Sequence, residues 1–199
     1  MCIYSTSERG MKTVGVVLAG GLSKRFGSPK AFARLGTQYF YERALEALEP
    51  FCEEVVVVTR EELLERFEPG VLTMTDLPEV VGLGPLAGIF SAMKAVDADS
   101  YAVLPCDMPY VDYRIMNGIR ELHQGGVTAV VASEKYHPLV SIWSKELKKP
   151  IQNALEHEQL SVMKFLKNFD VTWINGSSLT GNEKRVFTNI NMPIDLERS

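Results

Sequence analysis

At 199 residues, with 46% hydrophobic and 23% charged side chains, the chain has the length and composition of one globular domain with a buried core. Its net charge of −4 argues against non-specific nucleic-acid binding, which relies on neutralising phosphates, and no apolar stretch reaches the length of a membrane span. Three cysteines (Cys2, Cys52, Cys106), odd in number and without metal-type spacing, disfavour a disulfide framework and fit a reducing cytoplasm. The first ten residues lack a signal-peptide run and are expected to form an N-terminal extension (1–10) to a single domain over 11–199.

In chain order, the β-branched run Val14–Leu18 predicts a buried strand that stops at Ala19-Gly20-Gly21. Ala33–Gly36 reads as a short strand and turn, and Tyr39–Leu48 repeats apolar residues at helical spacing ahead of Pro50. Val55–Val58 is a strand buried on both faces. Glu61–Phe67 reads as a short amphipathic helix, and Val71–Thr75 as a strand ending at Asp76. A small-residue helix over Leu86–Val96 follows the loop Gly82-Leu-Gly84-Pro85, and the strand Tyr101–Leu104 runs into Pro105-Cys-Asp107-Met-Pro109. Beyond it the pattern predicts a helix over Arg114–His123, a strand over Val127–Ala132 and an extended segment over His137–Trp143. Helices over Glu146–Glu158 and Val162–Leu166, a strand over Val171–Ile174, an extended Val186–Ile190 and a helix opened by Pro193 complete the chain. Strands alternate with helices through residue 132, which predicts an α/β fold with a mainly parallel sheet.

In such sheets ligands sit beyond the carboxyl ends of the strands, where the loops at Gly20-Gly21, Asp76 and Asp107 all fall. From Gly20 to Arg34 there are four cations (Lys24, Arg25, Lys30, Arg34) and no acid, so the remaining residues carry −8. Small residues that expose backbone N–H groups, next to concentrated cations, suit a polyphosphate. The loop is neither a Walker A sequence nor a G-x-G-x-x-G fingerprint. A carboxylate at Asp107 opposite a polyphosphate calls for a cation between them, and Mg²⁺ shared by carboxylate and phosphates is the usual solution. A helix or turn cap is the alternative for Asp107, and a turn role is the alternative for Asp76. His123, His137 and His157 form no ligand pattern, and Cys106 has no identifiable base beside it.

Together these motifs resemble a known family. Leu18-Ala-Gly-Gly-x-x-x-Arg25-x-Gly27…Lys30 is similar to the signature of nucleotidyltransferases. Gly84-Pro85-Leu86-Ala87-Gly88, Pro105-Cys106-Asp107-x-Pro109 and Asn189-Ile190-Asn191-x-Pro193 narrow the resemblance to molybdenum cofactor guanylyltransferases. The resemblance implies a Rossmann-like three-layer sandwich of the nucleotide-diphospho-sugar transferase type. It also implies a Mg-dependent transfer of GMP from GTP to the phosphate of molybdenum-bearing molybdopterin, with release of pyrophosphate.

By the same resemblance, Leu18, Ala19, Gly20 and Gly21 would contact the nucleotide, Lys30 its phosphates and Asp76 the guanosine. Asp107 would lie against GTP and hold Mg²⁺, Arg25 would steady the triphosphate, and Asn189 and Asn191 would meet the pterin side. A cytoplasmic enzyme follows, with transient contact to cofactor-insertion or molybdoenzyme maturation proteins and no nucleic-acid or membrane partner. Pro29 stands where the family commonly has an acid, and Phe26 where it has Met, which leaves loop conformation and acceptor fit open. A related transferase using CTP or a sugar phosphate, and a non-catalytic nucleotide-binding module, are the rival readings.

Overall fold

The strand β1 (Thr13–Leu18) lies in the interior of a seven-stranded sheet and explains its layering. Its valines alternate: Val14 and Val16 join one buried cluster and Val17 the other, so the strand is apolar on both faces. The computed structural model describes residues 11–21 and 26–192. After β1 come a 3-10 turn (Lys30–Phe32), the hairpin β2 (Arg34–Leu35) and β3 (Gln38–Tyr39), α1 (Phe40–Leu48), and β4 (Glu54–Thr59). Next are a 3-10 segment (Glu61–Arg66), β5 (Leu72–Thr75), a 3-10 turn (Pro78–Val80), α2 (Pro85–Ala95), β6 (Ser100–Pro105) and α3 (Tyr113–Glu121). The chain continues through β7 (Val127–Ala132), β8 (Lys135–Ser144), α4 (Lys148–Glu156), α5 (Val162–Leu166), β9 (Val171–Asn175) and α6 (Glu183–Val186).

The sheet order is β5-β4-β1-β6-β8-β7-β9. β8 alone runs against its neighbours β6 and β7, and the other pairings are parallel. Helices α1 and α3 cover one face through Phe40, Leu48, Ile115 and Ile119. Helices α2, α4 and α5 cover the other through Leu86, Ile89, Ile151 and Phe165. The expected α/β three-layer sandwich with a mixed, mainly parallel sheet is therefore observed. No helix among the described residues is long and apolar enough to cross a membrane.

Three segments differ from the sequence expectation. Residues 61–66 form a 3-10 segment rather than an α-helix, because Phe67 and Pro69 close it after six residues. The helix expected from Glu146 starts at Lys148, which places Pro150 in its first turn, where a missing N–H costs nothing. The extended segment expected over 186–190 is instead the end of α6 followed by irregular chain. There Phe187 and Ile190 are buried in the α1–α3 layer, so their spacing records a tether and not strand alternation. The predicted extension at 1–10 and the helix at Pro193 lie outside the described residues.

Gly15 sits where β1 meets β4 and α1: a Cβ there would lie 2.8 Å from Val55 Cγ2 and 3.2 Å from Leu48 Cβ. Gly15→Ala is expected to lower stability by about 1–3 kcal/mol through overpacking. Urea unfolding checks this, and Val55→Ala in the same chain should recover part of the loss.

Candidate active site

The parallel strands β1 and β6 are neighbours, and the connections after them lead to α1 and α3 on one face of the sheet, while the connection after β5 leads to α2 on the other. In open α/β sheets the ligand crevice lies outside the carboxyl ends of the strands, where these connections leave. Pairing continues past the strand ends, with Ala19 N donating to Val58 O at 2.8 Å and Cys106 N to Leu18 O at 3.1 Å. Leu18 and Ala19 are thus fixed in the sheet, whereas Gly20 and Gly21 are exposed at its rim. Among the described residues, and apart from its chain neighbours, no atom lies within 4 Å of a Cβ built on Gly21. Residues 22–25, with the predicted phosphate ligand Arg25, lie outside the described residues.

The chain re-enters with Phe26, edge-on to Phe40 at 6.4 Å between ring centroids. Pro29 precedes the 3-10 turn at φ −61°, an angle proline holds natively, and its carbonyl accepts from Phe32 N at 3.1 Å. The exchange of an acid for proline is conformationally matched at this point. Ala31 is buried and Phe32 packs against Tyr39, Tyr41 and Phe67, which anchors the turn. Lys30 is thereby aimed back at the crevice.

There Lys30 Nζ donates to Asp107 Oδ2 at 3.0 Å and to Asn191 Oδ1 at 2.8 Å. Ile190 N donates to the Asp107 carbonyl at 2.8 Å, which holds the segment 189–191 against the end of β6. Asp107 Oδ1 is buried with no hydrogen-bond partner among the described residues. Asn191 is half-buried and Asn189 exposed, its carbonyl 3.5 Å from Asn191 Nδ2. Sequence-distant Lys30, Asp107 and Asn191 therefore meet in one cluster, with Asn189 at its edge.

Asp76 occupies a separate station at the end of β5. Its Oδ2 accepts from Gly82 N at 3.3 Å, and a Cβ built on Gly88 would lie 3.6 Å from Oδ1 and 2.9 Å from Leu18 Cδ2. Gly88 thus lets α2 close onto Leu18 and Asp76, a role its sequence neighbourhood registered only as smallness. Gly84 takes φ +83°, ψ −163° immediately before Pro85, a conformation nearly confined to glycine. Burial pushes the Asp76 carboxyl above its ordinary pKa, and the bond from Gly82 N–H opposes the shift.

Other titratable candidates have structural partners. His123 bridges Thr128 Oγ1 (2.9 Å) and Ser144 Oγ (3.0 Å), and burial lowers its pKa. His157 bonds the Asn153 carbonyl at 2.8 Å. His137 packs on Phe187, and burial lowers its pKa. Burial, and then the charge of Asp107, push the Cys106 thiol strongly up, which disfavours the thiolate a nucleophile needs. Among the described residues no group of three or more His, Cys, Asp or Glu converges. A divalent cation here would be held by Asp107, through its orphaned Oδ1, together with ligand phosphates, and such a donor set suits Mg²⁺.

A glycine rim, a fixed lysine and the carboxylate of Asp107 at the carboxyl edge of a mainly parallel sheet are the parts of a nucleotidyltransferase site. Comparison with known proteins agrees. Residues 15–171 match the model of the MobA-like NTP transferase domain. The chain is 36% identical over 185 residues to a probable molybdenum cofactor guanylyltransferase of Bacillus subtilis (strain 168), covering 91% of each chain. It is 33% identical to the protein of that name from Geobacillus sp. (strain WCH70), covering 94% of this chain and 97% of the relative. The structure superimposes on molybdopterin-guanine dinucleotide biosynthesis protein A from Archaeoglobus fulgidus with a TM-score of 0.77 at 26% identity, covering 93% and 95%. A 4-diphosphocytidyl-2C-methyl-D-erythritol synthase from Anaerococcus prevotii shares the fold at a TM-score of 0.70 and 12% identity, covering 94% of each chain. The chain belongs to the MobA-like NTP transferase family and, within it, groups with the molybdenum cofactor guanylyltransferases.

The raised Asp76 pKa has a signed consequence for stability. The folded chain binds its proton more tightly than the unfolded chain, so this carboxyl favours folding below its ordinary value of 3.8. That contribution is lost as pH rises through the folded value. Asp76→Asn is therefore expected to melt above the parent at pH 7, with the difference closing as pH falls toward 3.8. Melting curves across that range check it; a parent that melts above the variant at pH 7 contradicts it.

Proposed function

We propose that this transferase moves GMP from GTP to the phosphate of molybdenum-bearing molybdopterin and releases pyrophosphate. The observation that carries the reading is the Lys30–Asp107–Asn191 cluster, with one Asp107 oxygen committed to lysine and the other buried without a partner among the described residues. Relatives named probable molybdenum cofactor guanylyltransferase, matched over nearly the whole chain, support guanine as the base and molybdopterin as the acceptor.

In this reading the backbone of Leu18, Ala19, Gly20 and Gly21 receives the nucleotide, and Asp76 accepts from the N–H groups of the guanosine. Asn189 and Asn191 meet the pterin side, at the edge opposite Asp76. The acceptor phosphate attacks the α-phosphorus in line: its oxygen forms the new P–O bond while the bond from the α-phosphorus to the bridging oxygen breaks. The electron pair leaves with pyrophosphate. A phosphate monoester is already anionic at neutral pH, so the step requires no general base, in keeping with the structural roles of the histidines. Lys30 and Arg25 stabilise charge on the phosphate oxygens, and the fixed position of Lys30 makes that stabilisation preorganised. Mg²⁺ held at Asp107 would neutralise the triphosphate. We place the enzyme in the cytoplasm, in transient contact with proteins that insert the cofactor or mature molybdoenzymes.

Pyrophosphate release from GTP and molybdenum-bearing molybdopterin, set against CTP with the same acceptor and against either nucleotide with a sugar phosphate, tests the assignment. Only the first combination should turn over. Asp107→Asn and Lys30→Ala should each cut kcat by about 10²–10³-fold or more, with the melting transition retained. A fully active Asp107→Asn enzyme would remove the metal assignment, and preference for CTP would remove the donor assignment.

A further inference from the structure

Strand order dictates what a nucleotide lying between Asp107 and Asp76 must cross. Asp107 follows β6, the glycine rim follows β1 and Asp76 follows β5, and between β1 and β5 lies β4. The residue that leaves β4 at this edge is Arg60. The β1–β4 register pairs Leu18 with Val58, and Thr59 Oγ1 donates to the Ala19 carbonyl at 3.5 Å. A Cβ built on Gly20 would stand 3.9 Å from Arg60 Cγ, so the arginine stem walls the rim on this side.

The guanidinium is held in place. Nη1 pairs with Glu62 Oε1 at 2.6 Å, which fixes the plane and matches the charge. Nε is buried and has no hydrogen-bond partner among the described residues. A buried N–H without an acceptor is a cost that a bound acceptor would remove. With Nη1 turned to Glu62, the fork of Nε–H and Nη2 is the side suited to two acceptors at once. The local carboxylate offsets the positive charge, and Lys30 and Asp107 lie across β1 from it. A directional donor to a neutral acceptor therefore fits this station better than a phosphate clamp.

We propose that Arg60 reads the purine of the donor nucleotide, donating to guanine O6 and N7 while Asp76 accepts from its N1–H and amino group. This role rests on GTP being the donor. The pairing has a selective logic. A guanidinium has no acceptor and rejects the amino group that adenine carries where guanine has O6, and a pyrimidine offers no N7.

The test uses GTP and 7-deaza-GTP, in which a C–H replaces N7, with pyrophosphate release from saturating molybdenum-bearing molybdopterin as the readout. The parent enzyme should favour GTP over 7-deaza-GTP by roughly tenfold in kcat/KM. Arg60→Ala should lower kcat/KM for both donors through the lost O6 contact and lower GTP about tenfold further, so that the two values converge, with a retained melting transition reporting an intact fold. Arg60→Lys keeps stem and charge but loses the fork, and should abolish the discrimination in the same way. A GTP preference over 7-deaza-GTP that survives in either variant, as equal fold-losses on both donors would leave it, would overturn the role of Arg60. A parent enzyme that prefers CTP to GTP would overturn the donor reading itself.

Discussion

One ammonium group organises the site. Lys30 reaches a carboxylate 77 residues away in sequence and an amide 161 residues away, and so joins the first loop, the end of β6 and the last described segment. Its side chain is 14% exposed and that of Asp107 is 22% exposed, so removing either partner leaves the other poorly solvated. The loop after β1 and the segment 189–191 have little else in common. Their convergence on the Asp107 turn, through Lys30 Nζ and through Ile190 N, makes a single crevice out of three connections.

The same crevice is stabilised by packing and destabilised by its polar contents. β1 and β6 are buried on both faces, with Val14, Val16, Val103 and Leu104 at or near zero exposure. At their carboxyl ends the chain instead buries an unpaired Asp107 oxygen, and at the neighbouring ends of β4 and β5 it buries the Arg60 Nε and part of the Asp76 carboxylate. An unmade hydrogen bond of this kind costs about 1–3 kcal/mol. Of the three buried side-chain atoms without a hydrogen-bond partner among the described residues, Tyr41 Oη lies in the α1 layer, and the other two, Asp107 Oδ1 and Arg60 Nε, lie along this one sheet edge, where a ligand would relieve both costs.

Much of this was legible in the residues. The valine runs at 14–18 and 55–58 fix doubly buried strands, and the loops at Gly20, Asp76 and Asp107 follow those strands by direct inspection. The strand order, with β8 inserted antiparallel between β6 and β7, was not legible, because a β-branched run carries no information about its neighbour. The contact between Lys30 and Asp107 depends on that order, and so does the position of Arg60, which no local pattern marks. Val186, Phe187 and Ile190 misled for a related reason: apolar spacing reports burial, and here the burial is a helical turn pinned under the sheet edge. Guanine and molybdopterin came from resemblance alone, since a phosphate cradle carries no record of base or acceptor.

In the proposed function the two Asp107 oxygens divide their roles, Oδ2 for Lys30 and Oδ1 for a cation that arrives with the nucleotide. Electron paramagnetic resonance of Mn²⁺ titrated into the full chain with GTP measures this directly. The wild-type chain should retain a bound Mn²⁺–GTP signal that Mg²⁺ displaces, and Asp107→Asn should leave the metal in the spectrum of free Mn²⁺–GTP. An Asp107→Asn chain that holds the ion as the wild type does would contradict the account.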